Sequence, residues 1–170
     1  MHVQDANHPL ENTPNVLQTF ADSDYAADDS RRSTMGMIVM LNGGPVGWAS
    51  TLAKVVALST CEAEVNAACL AAKEALHISR LMFDIGAADK IRPVTIAEDN
   101  AACIAQANSG LRHVRNAKHY ECKLRFLQQL VVDNAIEFMY CPTKVQLADI
   151  QTKPLDVEQF IFLRKMIMGE

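Results

Sequence analysis

The sequence predicts a single α/β domain, and three observations carry that expectation. Extended apolar runs and helical patterns follow one another as three strands, helix, strand, helices, strand, helix, an α/β order with an antiparallel start. Asn42-Gly43-Gly44 separates the second and third runs, and this composition favours the tight hairpin whose central residues need positive φ. A chain of 170 residues that is 49% hydrophobic and 21% charged has the composition of one folded domain with a sizeable core.

Residues 1–15, MHVQDANHPLENTPN, have no apolar period and contain two prolines. They read as a linker or the remnant of an upstream connection, which leaves 16–170 as the domain. From Val16 an extended run reaches Ala21-Asp22, and a polar turn, Ser23 to Ser33, follows. The second strand spans Met35 to Leu41 and the third Pro45 to Ser50. Ser59-Thr60 precede a long Ala-rich helix, with Thr60 as its N-cap, Glu62 and Glu64 near the positive end of the dipole, and Gly86 as its stop. A short strand, Pro93 to Ala97, leads into a short helix, Asn100 to Asn108. A further helix is expected over 117–132, a last strand over Ala135 to Cys141, and helical segments over Val145 to Ile150 and Val157 to Met168.

Several classes are disfavoured by composition. No apolar stretch approaches the roughly 20 residues of a membrane helix, and Met1 is not followed by a basic and then apolar leader, so no membrane association and an intracellular, cytoplasmic location are expected. Five cysteines without a CxxC pair read as reduced and mostly core residues. A net charge of −4 speaks against a domain that grips nucleic acid unaided through many phosphates. It leaves a nuclease open, because a carboxylate site is acidic until metal binds.

Four acidic residues stand where apolar runs meet turns or helix starts: Asp22, Glu64, Asp99 and Asp149. At about 100° per residue, Ala68, Ala71, Ala75, Ile78 and Met82 share a helix face with Glu64. Glu64 thus continues the stripe expected to meet the sheet, whereas Glu62, Lys73 and Arg80 fall on the solvated side. A carboxylate on a buried face needs a partner. Asp22 and Asp99 follow extended runs, where open sheets present ligands, although turn chemistry at Asp22 and helix capping at Asp99 would also explain them. Asp149 is the weakest of the four, since an Asp within LADIQ reads by spacing alone as a solvated helix residue.

Taken together, ADSDYAADDSRRSTMG, GWASTLAKVVALSTCEAEVNAACLAAKEAL, EDNAACIA, KHYECKLRFL and YCPTKVQLADIQTKPL resemble the ribonuclease H domain of copia-type retrotransposon Pol polyproteins, from about Phe20 to Leu155. The resemblance implies a ribonuclease H-like fold, a five-stranded mixed sheet whose first three strands are antiparallel, flanked by helices. It implies cleavage of the RNA strand of an RNA–DNA hybrid, beside the reverse transcriptase domain of the same polyprotein and within a virus-like particle for an active element. Asp22, Glu64, Asp99 and Asp149 would be both catalytic and metal-binding, for two Mg²⁺ ions that Mn²⁺ replaces, in a two-metal phosphodiester hydrolysis. Asp22 would bridge the ions, with Glu64 and Asp99 on one side and Asp149 on the other. Departures from the family are Tyr25 for its usual Trp, Ala27 for Gly, and Ala101-Ala102 for a Gln-Ser pair. No His stands between Tyr140 and Asp149, unlike the loop of cellular ribonucleases H.

Substrate contacts are expected from Asn100 and from a basic face made by Arg115, Lys118 and Arg125, opposite the apolar stripe Tyr120, Leu124, Leu127 and Val131, with an ordinary solvated face as the alternative. His119 adjoins that face, with a structural hydrogen bond as the alternative. Trp48 is expected in the core. Two other functions compete: a non-catalytic module that binds hybrid or packs against a reverse transcriptase, and a strand-transfer enzyme on the same fold, which the STCEAE and LADIQTKPL blocks fit poorly.

Overall fold

Five strands form one mixed sheet in the order β3-β2-β1-β4-β5, as seen in a computed structural model that describes residues 15–88, 93–111 and 120–170. The expected linker up to residue 14, and Arg115, Lys118 and His119 of the expected basic face, lie outside the described residues. β1 (Leu17–Asp24), β2 (Thr34–Leu41) and β3 (Gly44–Leu52) are antiparallel neighbours. Asn42 at φ 51° and Gly43 at φ 80° form the two-residue turn between β2 and β3, both in the left-handed region that the I′ hairpin demands. β4 (Val94–Glu98) and β5 (Ile136–Tyr140) run parallel to β1.

Period-two alternation divides the side chains between two helical layers. Met37, Val39, Val94, Ile96 and Ile136 face the layer made by α1 (Thr60–Asp84), α2 (Ala101–Ala107) and α3 (Glu121–Val132). Phe20, Ile38, Met40 and Ala97 face α4 (Asp149–Thr152) and α5 (Val157–Met168), with Leu147, Ala148 and Leu163. The expected stripe on α3 is present: Tyr120, Leu124 and Leu127 are buried and Val131 packs beside them.

Some expectations need correction. Ser59, not Thr60, caps α1; its backbone is extended and its Oγ accepts the Glu62 N–H at 3.1 Å. Glu62 is buried, not solvated, because its carboxylate turns back to accept the Leu58 N–H at 2.7 Å, a variant of the capping box. Ser59→Ala is expected to lower stability by about 1 kcal/mol, read as a shift of the urea midpoint without a change of slope. The expected helix over Val145 to Ile150 is instead a short 3₁₀ turn, Thr143–Val145, an extended Gln146 and the one-turn α4. Trp48 is 64% exposed. It pairs with Ile38, which puts it on the α4/α5 side, but β3 is the sheet edge and those helices leave it uncovered.

Candidate metal centre

The parallel β1–β4 ladder ends at Phe20 and Ala97, and the next residues of the two strands diverge. Gln146, fully buried, enters the gap: its Nε2 donates to the carbonyls of Ala21 at 3.0 Å and Ala97 at 3.2 Å. The Ala21 carbonyl lies past the last β1–β4 pair, and a buried carbonyl is costly to leave unpaired. Just past this wedge, Asp22 from β1 and Asp99 after β4 meet Glu64 from the first turns of α1. One oxygen from each lies within 4.8 Å of the other two, the one such triad of possible metal ligands among the described residues. Ligand oxygens around a Mg²⁺ ion lie roughly 3 to 4 Å apart, given a metal–oxygen distance of about 2.1 Å, so a small side-chain adjustment suffices.

Glu64 sits where its helix phase predicted, with Ala68, Ala71 and Ala75 fully buried on the same face. Among the described residues its Oε2 is buried without a hydrogen-bond partner, the state of a carboxylate oxygen that a cation would satisfy. Burial, together with the Asp22 and Asp99 carboxylates, pushes the Glu64 carboxyl up to about 8. Asp22 is not at the strand end; β1 continues to Asp24, and Asp22 pairs with Gly36. Asp22 Oδ2 accepts the Thr152 hydroxyl at 2.5 Å. Asp99 is not the helix cap. Asn100 is, its Oδ1 accepting the N–H groups of Ala102 and Cys103 at 3.0 Å each, which leaves Asp99 turned to the site with Oδ2 accepting from Thr143 Oγ1 at 2.6 Å.

Asp149 flanks the triad without joining it. The Lys153 Nζ lies 2.9 Å from Asp149 Oδ1 and 3.8 Å from Asp22 Oδ2, so one ammonium links the two acids. Burial raises the Asp149 carboxyl to about 7, with Lys153 pulling the other way and Asp22 adding to the rise. Burial opposes the charge of Lys153, but Asp149, Asp22 and Asp99 outweigh it and hold the ammonium above the usual lysine range. Of the expected substrate contacts, Asn100 spends its carbonyl on the α2 cap, and Arg125 is half-exposed, 4.0 Å from Glu121 Oε1.

Besides Gln146, Thr143 and Thr152, which orient the triad, sequence reading missed Glu98 and Lys153. Glu98 is fully buried behind the triad, with Oε1 accepting the Asn100 N–H at 3.1 Å and Oε2 without a partner among the described residues. Burial, with Glu64, Asp99 and Asp22 nearby, holds its carboxyl well above the ordinary range. The signal was in the parity of β4, since Val94, Ile96 and Glu98 share a face. Lys153 follows Asp149 by four residues, the spacing of a helical ion pair.

These shifts fix the sign of a pH dependence. Glu64 rises from 4.5 to about 8 on folding, so the metal-free folded chain retains a proton that the unfolded chain releases. The resulting stability is fully present below about 4.5 and is lost as pH rises through about 8. Asp149 acts in the same sense between 3.8 and about 7. The melting temperature of the metal-free protein, compared with that of Glu64→Gln, is therefore expected to fall as pH rises across this window. A wild-type profile parallel to that of the variant would contradict this reading.

Similarity to known proteins gives its lineage. No family model matches the chain. It is 29% identical over 153 residues, 89% of its length, to the retrovirus-related Pol polyprotein of transposon TNT 1-94 from Nicotiana tabacum. It is 32% identical over 145 residues, 85% of its length, to that of transposon RE1 from Arabidopsis thaliana. It is also 28% identical over 159 residues to the transposon Ty1-DR5 Gag-Pol polyprotein of Saccharomyces cerevisiae. Its relatives are copia-type retrotransposon Pol polyproteins. The chain spans about a tenth of their length, 11%, 10% and 9% respectively.

Among solved structures, LC11-RNase H1 from compost metagenomic material superposes with a TM-score of 0.62 at 14% identity, covering 81% of this chain and 93% of that one. The complex of the same enzyme with RNA/DNA hybrid gives 0.58 at 13% identity, over 80% and 93%. The foamy viral protease-reverse transcriptase in complex with RNA/DNA hybrid gives 0.52 at 18% identity, over 84% of this chain and 20% of that one. The copia-related chain thus has a ribonuclease H fold, and none of its described helices is long and apolar enough to cross a membrane.

Proposed function

We propose that residues 16–170 form the ribonuclease H domain of a copia-type Pol polyprotein and hydrolyse the RNA strand of RNA–DNA hybrids during reverse transcription. The observation that carries this reading is the triad Asp22, Glu64 and Asp99, which converges at one edge of a ribonuclease H sheet with a buried, unpartnered Glu64 oxygen. Copia-type relatives and the hybrid-bound structural neighbours support the substrate class. Asp22, Glu64 and Asp99 would hold a divalent cation, Mg²⁺ with Mn²⁺ as its substitute, and Asp149 would extend the acidic surface on the α4 side. A hard dication there supplies Lewis-acid stabilisation of the negative charge that builds on the phosphodiester oxygens.

The residues of the chain orient and hold. Thr152 and Thr143 donate to Asp22 and Asp99 and so aim their remaining lone pairs at the cluster. Gln146 keeps β1 and β4 apart so that the acids converge. Water adds to phosphorus as the P–O3′ bond breaks, leaving a 5′ phosphate and a 3′ hydroxyl. RNA is distinguished through 2′-hydroxyls in the wide minor groove, with little sequence preference. A chain of net charge −4 gains little affinity from phosphate contacts of its own, and the reverse transcriptase domain of the same polyprotein would provide the basic surface. The site of action would be intracellular, within a particle for an active element.

The test incubates the purified chain with hybrid labelled on the RNA strand. Shortened RNA with Mg²⁺ or Mn²⁺, intact DNA, and no reaction in chelator are expected. Binding without cleavage would favour the non-catalytic module instead.

A further inference from the structure

The two flanks of Asp22 are compensated unequally. Toward Glu64 and Asp99 there are three carboxylates, an unpartnered buried Glu64 oxygen, and no ion pair to Glu64 or Asp99 among the described residues. Toward Asp149 the position between the acids is taken by the Lys153 ammonium, at 2.9 Å and 3.8 Å. Its backbone is held there by two constraints. Lys153 precedes Pro154 and adopts φ −144°, ψ 153°, the extended form that a following proline favours. Its N–H donates to the Asp149 carbonyl at 3.3 Å, closing α4. The side chain, about one-third accessible, runs from this anchor to the two carboxylates, and Thr152 beside it donates to the same Asp22 oxygen that faces the ammonium.

We propose that Lys153 is a built-in counter-ion that fills the second cation position of the site. The chain then takes one divalent ion, on Asp22, Glu64 and Asp99, with a lysine ammonium between Asp22 and Asp149 where a second metal would otherwise bind. This rests on the metal-dependent reading above. Lys153 is a positioning residue, acting through the carboxylates that it holds. A monovalent ammonium neutralises less charge than a second Mg²⁺, but it is covalently tethered and loses no ion to the surrounding solution. Cleavage would therefore depend on a single metal-binding step.

Stoichiometry tests this without recourse to activity. The metal-free full chain is titrated with Mn²⁺, free ion being read by its electron paramagnetic resonance signal, at neutral pH and without nucleic acid. Wild type is expected to bind one ion and Lys153→Met two, the second being lost again in Lys153→Met/Asp149→Asn. Lys153→Arg, which keeps the charge, is expected to bind one, and it guards against a folding defect in the methionine variant. Two ions in wild type, or one ion in folded Lys153→Met, would overturn the proposal while leaving the metal-dependent reading intact. No ion in wild type would remove both.

Discussion

Asp99→Asn is expected to lower RNA-strand cleavage by about a thousandfold or more while the fold survives. Changes to residues that merely orient a metal ligand cost about 10- to 100-fold, and removing a ligand charge should exceed that. The substitution is nearly isosteric. The asparagine carbonyl still accepts from Thr143 Oγ1, now 2.6 Å from Asp99 Oδ2, and the α2 cap belongs to Asn100. The urea midpoint should therefore move little, or rise slightly, because a carboxylate that repels Glu64 has been neutralised. Hybrid binding in chelator should be unchanged. Cleavage indifferent to this substitution would sink the catalytic assignment, since Asp99 supplies one of the three mutually close candidate ligand oxygens among the described residues.

Gly36→Val is expected to cost about 3 kcal/mol of stability and most of the activity. A Cβ at Gly36 would lie 2.5 Å from Thr152 Cγ2, 2.9 Å from the Ala148 carbonyl oxygen and 2.9 Å from Gln151 Cβ. One of these is backbone and the others are close to it, so α4 itself would have to move. Overpacking of this kind costs roughly 1 to 3 kcal/mol, occasionally more. Moving α4 also breaks the Thr152–Asp22 hydrogen bond and displaces Asp149 and Lys153. Gly47→Ala is the control, because its Cβ would meet Ile78 Cδ1, a flexible side-chain end, at 3.1 Å. Denaturant unfolding and hybrid cleavage measured on both variants check this. Equal stability of Gly36→Val and wild type would mean that α4 is not held tightly against β2.

How much of this was legible depended on how local the signal was. Glu64 was readable because helix phase is set by the chain alone, and the buried alanines around it follow from that phase. The hairpin at Asn42-Gly43 was readable for a similar reason, as backbone sterics decide which residues take positive φ. Glu98 lay within reach of the same reasoning, since strand parity aims it inward with Val94 and Ile96. Trp48 misled because its composition argues for burial while its position on the edge strand leaves nothing to cover it.

By itself the sequence determined the order of strands and helices, the buried phase of Glu64, the hairpin, and, through blocks shared with copia-type Pol polyproteins, the ribonuclease H fold. Only the tertiary structure decided that the Gln146 amide wedges β1 from β4, that α4 lands on Gly36, and that Lys153 lies between Asp22 and Asp149. Local sterics and periodicity act over a few residues and can be read along the chain. The electrostatics of the site arise between residues more than a hundred positions apart, such as Asp22 and Thr152, whose distance exists only once the sheet has closed over its core.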